Sequence, residues 1–491
     1  MTITIVGLGP GNPELITRAA ERALHEAPRL FLRTDRHPGV RELLDGRAYE
    51  SFDALYDTLD SFDTVYAAIC ERLVAAEREH GAIVYAVPGD PLLAEATVRR
   101  LLAAAGEGGP AVQTIPGLSF LEPVCHALAL DPLADGVQLL DALEPGAVEP
   151  ARPALFAQVH GRRAASHLKL ALLELYPPGH EVALVSAAGI AGEERVLRLP
   201  LAELDRGDHA DHLSTLFVPA LALEANRRSW SGVRAIVHRL YAPGGCPWDR
   251  EQTHASLKHH LLEEAYEVLQ ALDEEDPRAL AEELGDLLLQ IGLHTEIADE
   301  AGEFGYGDLF EAITGKLLRR HPHVFGDVTA GSAEEVMANW QRIKAAEKAE
   351  KARDGEGEPE SILAGVPRAM PSLAYAQAVQ DRAAAVGFDW PRVDDVIEKL
   401  VEEVAELRRA VTHAERLDEF GDVVFVLANL ARWLKIDAEE AGRLAGRKFF
   451  RRFAGVERLA RQEGRDLNQM TLAEMDSLWD RVKLEERAAE A

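Results

Sequence analysis

The second half of the chain states one pattern twice. One stretch reads LLEEAYEVLQALDEEDPRALAEELGDLLLQ, from Leu261 to Gln290, and another reads LVEEVAELRRAVTHAERLDEFGDVVFVL, from Leu400 to Leu427. Each carries Glu-Glu-x-x-Glu, a gap, and then Glu-x-x-Asp. The flanks repeat as well. CPWD at Cys246 answers to GFDW at Gly387, Lys316 and Arg320 to Lys448 and Arg452, and NWQRIKAAE to LWDRVKLEE, which pairs Trp340 with Trp479. Five landmarks in the same order define an internal repeat, so this half must fold as two copies of one unit.

The period inside each copy is helical. Leu261, Ala265, Val268 and Leu272 recur at helix spacing and form an apolar stripe. Glu264 lies on that stripe, Glu403 lies between Leu400 and Leu407, and Glu283 lies between Leu280 and Leu287. Carboxylates at a helix interface are costly without partners, and like charges one turn apart repel. A hard divalent cation resolves both problems, because Mg²⁺ takes oxygen ligands and keeps waters for a phosphate substrate. Helix bundles build metal sites from facing helices in this way. In a chain that is 28% charged, a single Glu-Glu-x-x-Glu is most simply a solvated helix face. The repetition, the apolar register and the trailing Lys-x-x-x-Arg, suited to phosphate oxygens, favour the metal site.

The first ~220 residues differ. ITIVGL, AIVYAVPG, VQTIPG, ARPALFAQV, VALVSAAG and TLFVPAL read as strands, alternating with helical stretches such as PELITRAAERALHEA and AEATVRRLLAAAG. This alternation implies an α/β domain, and the Pro/Gly-rich DALEPGAVEPARP reads as the link between two lobes. Strand signals end near Trp230. The segment from Lys344 to Ser361 reads as a helix tail running into a flexible linker. The expected layout is an α/β domain over residues 1–222, an all-α module over 228–345, a linker over 346–361 and a second all-α module over 362–487.

Composition narrows the partners. A formal net charge of −30 argues against binding nucleic-acid polymers, which rests on Lys and Arg; a small anionic substrate remains open if cations mask the charge. The cysteines Cys70, Cys125 and Cys246 form no CxxC, so the chain is expected in a reducing cytoplasm, without a disulfide framework. The N-terminal MTITIVGLGPGNP has no basic, apolar leader pattern, and no run of about 18 uncharged apolar residues offers a membrane span.

From about Trp230 to Glu485 the chain resembles MazG, the nucleoside triphosphate pyrophosphohydrolase with two tandem all-α modules. The match is carried by GGCPWDREQT, LLEEAYEV, EELGDLLLQ, KLLRRHPHVFGD, VGFDW, VEEVAEL, EFGDVVF and KFFRRF. The resemblance implies Mg²⁺-dependent hydrolysis of nucleoside triphosphates to monophosphate and pyrophosphate, in a homodimer with four-helix-bundle-like sites. Carried over by position, Glu403, Glu406, Glu419 and Asp422 would ligate Mg²⁺ in the second module. Lys399, Lys448 and Arg452 would hold phosphates, with Trp479 near the base. In the first module the ligands would be Glu264, Glu267, Glu283 and Asp286, followed by Lys316, Arg320 and Trp340. Either glutamate of each opening pair, Glu402 or Glu403 and Glu263 or Glu264, could take a proton from the attacking water. Two departures stand out: His260 occupies the place of Lys399, and Ala378 and Asp381 stand where the family often has lysines.

Residues 1 to about 222 resemble the tetrapyrrole (corrin/porphyrin) methylases, through ITIVGLGPGNPELIT, VPGDPLL, IPGLSFLEP and ALVSAAGIAGEERVLRLPLAEL. The first of these is not the Rossmann fingerprint, because Asn12 stands where a third glycine is needed. The resemblance implies S-adenosylmethionine held between two lobes by loops carrying Gly7, Gly9 and Gly11, then Gly89, Asp90 and Pro91, then Pro116, Gly117 and Ser119. FLRTDRHP replaces the family's usual apolar-Tyr-Asp stretch, putting Arg33, Asp35 and His37 there; a lone histidine in such a place is usually structural or surface. Besides the hydrolase reading, two others follow: a methyltransferase with a helical appendage, and a nucleotide sensor that binds without turnover.

Overall fold

The computed structural model describes residues 2–354 and 361–489. It comprises two compact units, one ending at Ile313 and the other beginning at Thr314.

The first unit opens with a five-stranded parallel sheet. Its strands are β1 (Thr2–Gly7), β2 (Leu30–Leu32), β3 (Glu50–Ser51), β4 (Ala82–Val87) and β5 (Ala111–Ile115), in the order β3-β2-β4-β1-β5. A parallel sheet is stable only with both faces covered. Alternation along β1 and β4 sends Ile3, Ile5, Tyr85 and Val87 to one face, where Ile69, Leu73, Val98 and Leu101 of two helices cover them. It sends Val6, Val84 and Ala86 to the other, under Ala20 and Leu24 of the Arg18–Glu26 helix. Thr17 starts that helix by accepting from the Ala20 N–H.

A second five-stranded sheet follows, in the order β6-β7-β10-β8-β9, from β6 (Gln138–Asp141), β7 (Ala154–Ala157), β8 (Glu181–Ser186), β9 (Arg195–Pro200) and β10 (Ser214–Val218). β6 and β7 are parallel and the other pairings antiparallel. Phe156, Leu184 and Leu216 face Leu168 and Leu172 on one side, while Leu155, Val185 and Phe217 meet Val124 and Cys125 on the other.

All six expected strands are present, and four others join them. β2 and β3 are too short to show a period, β6 is only four residues long, and β9 is an exposed edge with charged residues. β6 corrects one expectation. DALEPGAVEPARP does not link the lobes: it begins on the last residue of β6 and runs to β7, so it lies within the second sheet, and the lobes join upstream of Gln138.

No strand follows Val218 among the described residues. The repeat becomes two helix hairpins. Lys258–Asp273 packs on Pro277–Ala301, and Val393–Arg409 packs on His413–Trp433. Asp276 caps the first return helix, with Pro277 in its first turn, and a Thr412–Glu415 capping box opens the second. The helix that begins at Ala333 runs on to Asp354, into the expected linker; residues 355–360 of that linker lie outside the described residues. The Trp230–Tyr241 helix joins the second lobe through Ser231 Oγ, which donates to Glu149 Oε1 at 2.6 Å, and packs Val237 against Leu257 and Leu293. No described helix is long and apolar enough to cross a membrane.

Candidate active site

Each hairpin gathers the carboxylates that the repeat singles out. In the second, ligand-capable oxygens of Glu403, Glu406 and Glu419 all lie within 4.8 Å of one another. In the first, Glu264, Glu267 and Glu283 do the same. The helical spacing explains this: residues three apart on one helix face the return helix together, where the next motif begins.

Crowding leaves an electrostatic mark. Partial desolvation, then the charges of Glu406, Glu403 and Asp422, raise the Glu419 pKa. Desolvation, Asp286 and Glu267 raise Glu264, and desolvation, Glu267 and Asp286 raise Glu283. Asp286 and Asp422 therefore act on the clusters electrostatically, although both side chains are exposed and stand outside the two closest groups. The donor set is all oxygen, anionic and self-repelling, which fits a hard divalent cation.

The two sites differ in the basic residue that precedes the glutamate pair. Lys399 Nζ lies 2.9 Å from Glu402 Oε1 and 2.8 Å from Glu403 Oε1, and these bonds raise its pKa. The structure thus sets Lys399 on the carboxylates themselves. In the first site His260 Nδ1 lies 3.6 Å from Glu263 Oε2, beside the Trp248 ring.

The trailing basic residues are held by partners that the sequence reading overlooked. Arg320 lies over the Trp340 ring and donates to Glu347, and Arg452 lies over Trp479 and donates to Glu486. Trp479 also packs on Phe449 and the core around Val456 and Leu478. The signal was in the text of the repeat, since NWQRIKAAE and LWDRVKLEE both end on that glutamate. Lys344 Nζ adds a second cation 4.9 Å from the Trp340 ring centroid.

In the α/β domain the three expected loops converge at the ends of the adjacent strands β4, β1 and β5. Gly9 and Gly89 exchange backbone hydrogen bonds, at 3.2 and 2.8 Å. A Cβ on Gly7 would lie 2.5 Å from the Gly89 carbonyl oxygen, and one on Gly117 would lie 2.3 Å from it. Only glycine allows this approach. Asn12 Nδ2 donates to the Gly189 carbonyl of the other lobe at 2.9 Å, and Ile190 closes on Gly11. The polar side chains serve their own loops: Asp90 accepts from the Leu92 N–H, Ser119 from the Leu121 N–H, and the Pro116 carbonyl accepts from Thr17. Pro91 is buried. The FLRTDRHP residues are structural as well. Arg33 pairs with the buried Glu95 and donates to Tyr56, the Asp35 N–H donates to Asp53, and His37 is buried with Nε2 2.9 Å from the Gly9 carbonyl.

Comparison with known proteins agrees with this division. Residues 2–205 match the Tetrapyrrole (Corrin/Porphyrin) Methylases, and residues 252–325 match the MazG nucleotide pyrophosphohydrolase domain. The chain is 40% identical to the uncharacterized protein YabN of Bacillus subtilis over 99% of both chains. It is 44% identical to the nucleoside triphosphate pyrophosphohydrolase of Escherichia coli K12, covering 51% of this chain and 95% of that one. It is 41% identical to the nucleoside triphosphate pyrophosphohydrolase/pyrophosphatase MazG of Thermotoga maritima, covering 51% and 93%. Fold and site together define a helical MazG-type protein joined to a methylase-like α/β domain. The chain belongs to the MazG family, in the two-part form that its full-length Bacillus relative shares.

Proposed function

We propose that this chain hydrolyses nucleoside triphosphates to monophosphate and pyrophosphate, clearing non-standard or excess nucleotides. The observation that carries the reading is the pair of all-oxygen carboxylate clusters at equivalent places in the repeat. The kinship to pyrophosphohydrolases over this half supports it. Mg²⁺ would be held by Glu403, Glu406, Glu419 and Asp422, and by Glu264, Glu267, Glu283 and Asp286; when bound it supplies charge neutralisation for the triphosphate and activation of water toward the α-phosphorus.

The remaining work falls to protein groups. Glu402 is exposed beside Lys399 and outside the ligand cluster, so it suits the general base that takes the water's proton; Glu263 is its counterpart. Arg452 and Arg320 supply planar forks for phosphate oxygens, with Lys448 and Lys316 one turn earlier. Trp479 and Trp340, each with its arginine over the ring, would lie near the base. A homodimer is part of the proposal. Val401, Leu417, Phe420, Phe449 and Phe450 are 57–77% exposed, more apolar surface than a lone soluble chain usually leaves open. The free cysteines suit a reducing cytoplasm. The layout proposed remains 1–222, 228–345 and 362–487.

Convergence of the glycine loops between two lobes supports an S-adenosyl ligand in the N-terminal domain. Product analysis on a panel of triphosphates with Mg²⁺ tests the main reading. Monophosphate plus pyrophosphate is expected; diphosphate plus phosphate, or no product, contradicts it.

A further inference from the structure

The two arginine sites share a detail that phosphate binding alone does not require. Arg319 and Arg320 both donate to one carboxylate. Arg319 Nε reaches Glu347 Oε1 at 3.3 Å, and Arg320 Nε and Nη2 reach Oε2 at 3.1 and 2.6 Å. In the other repeat Arg451 Nε reaches Glu486 Oε1 at 3.0 Å, and Arg452 Nε reaches Oε2 at 2.8 Å. Each glutamate follows its tryptophan by two helical turns, so carboxylate and indole share one helix face. The guanidinium carbon lies 5.3 Å from the Trp340 centroid and 5.9 Å from that of Trp479.

Consecutive helical residues point about 100° apart. A carboxylate that meets both arginines of such a pair must draw the two side chains together. It does so twice, with the inner arginine largely enclosed: Arg320 and Glu347 are 17% and 19% exposed, Arg452 and Glu486 24% and 19%. The hydrogen bonds from Arg320 and Arg452 hold both glutamate pKa values below the ordinary range, so the clasp stays charged at neutral pH. Two guanidinium groups against one carboxylate leave a net positive charge. Arg452 uses only Nε on the glutamate, and its two amino groups have no partner among the described residues.

We propose that Glu486, and Glu347 in the first repeat, are positioning residues. They pin the inner arginine between carboxylate and indole, so that its outer N–H groups meet a substrate phosphate without a search through rotamers. This rests on the hydrolase reading above. A pre-set fork loses less freedom on binding, so the effect belongs in KM. Were the clasp only a link between helices, losing it would lower stability and leave KM alone.

The test uses the full chain with Mg²⁺, one site at a time. In a Glu264→Gln background, which silences the first cluster, Glu486→Gln is expected to raise KM for the nucleoside triphosphate about tenfold, with kcat within about twofold. Glu486→Asp should recover part of the loss. Glu347→Gln in a Glu403→Gln background asks the same of the Arg320 clasp, and the background that turns over decides. An unchanged KM beside a lowered melting temperature overturns the positioning role while the hydrolase reading stands. If Glu486→Gln does not fold, Arg452→Lys keeps the charge and loses the fork; an unchanged KM there is equally fatal. If wild-type chain and both backgrounds release no pyrophosphate, the hydrolase reading fails and the positioning role falls with it.

Discussion

Lys399 stands one helical turn before Glu403, and its ammonium lies 2.8 Å from a carboxylate whose side chain is only 7% exposed. The lysine therefore occupies charge that a bound cation would otherwise neutralise. Lys399→Gln removes one positive charge beside the cluster. A unit charge at this range in water-like surroundings changes affinity by about fivefold. The variant should bind Mg²⁺ or Mn²⁺ more tightly by that factor in calorimetry, with Glu264→Gln present to silence the first site. Weaker cation binding would show that the lysine helps to build the site.

The crowded clusters should destabilise the cation-free protein. Glu419→Gln relieves repulsion from Glu403, Glu406 and Asp422 and should raise the cation-free melting temperature of the helical unit by about 1–2 °C. Excess Mg²⁺ should stabilise the wild-type chain more than this variant. Thermal melts in chelator and in Mg²⁺ check both arms.

The glycine crossing in the α/β domain should not tolerate a methyl group. Gly117→Ala would place Cβ 2.3 Å from the Gly89 carbonyl oxygen, a clash between backbones that no rotamer relieves. We expect a loss of at least about 2–3 kcal/mol in this domain's stability, and loss of S-adenosyl ligand binding with it. Gly46→Ala is the control. It has a positive φ, +72°, which Gly117 lacks, but a Cβ there meets nothing within 4 Å, so its cost comes from the backbone alone and should stay near 1–2 kcal/mol.

Histidine burial predicts a mild acid sensitivity. Burial lowers the His37 pKa, with the Gly9 hydrogen bond opposing; His294 is lowered by burial and by His254 beside it. The unfolded chain takes up these protons near pH 6.5, whereas the folded chain resists them. Stability is therefore complete above that value and declines as pH falls through it, by at most about 1.4 kcal/mol per pH unit per histidine. Melting temperature should drop between pH 7 and 5.5, and His37→Gln should flatten the slope.

Much of this was legible in the sequence because the repeat supplied its own control. One acidic helix would have meant little; two in register, with the same flanks, located both clusters that the hairpins assemble. Strands with clear runs, such as AIVYAV, were equally plain. What escaped was set by pairing in space. LFL becomes β2 only because β4 lies beside it, and β9 shows no buried face. β6, too short to announce itself, moved the join between lobes. Glu347 and Glu486 were hidden for another reason: a glutamate near a helix end looks like solvent-facing charge until two arginines from another helix close on it. The half-exposed apolar stripe, with Leu272 at 51%, fits the proposed second copy and not a single-chain core.

The most direct measurement is Mg²⁺-dependent pyrophosphate release by four versions of the full chain: wild type, Glu264→Gln, Glu403→Gln and the double variant. Turnover is expected in the wild type, retention in at least one single variant, and loss of at least about a thousandfold in the double variant. Undiminished pyrophosphate release from the double variant would mean that the carboxylate clusters are not where the chemistry happens.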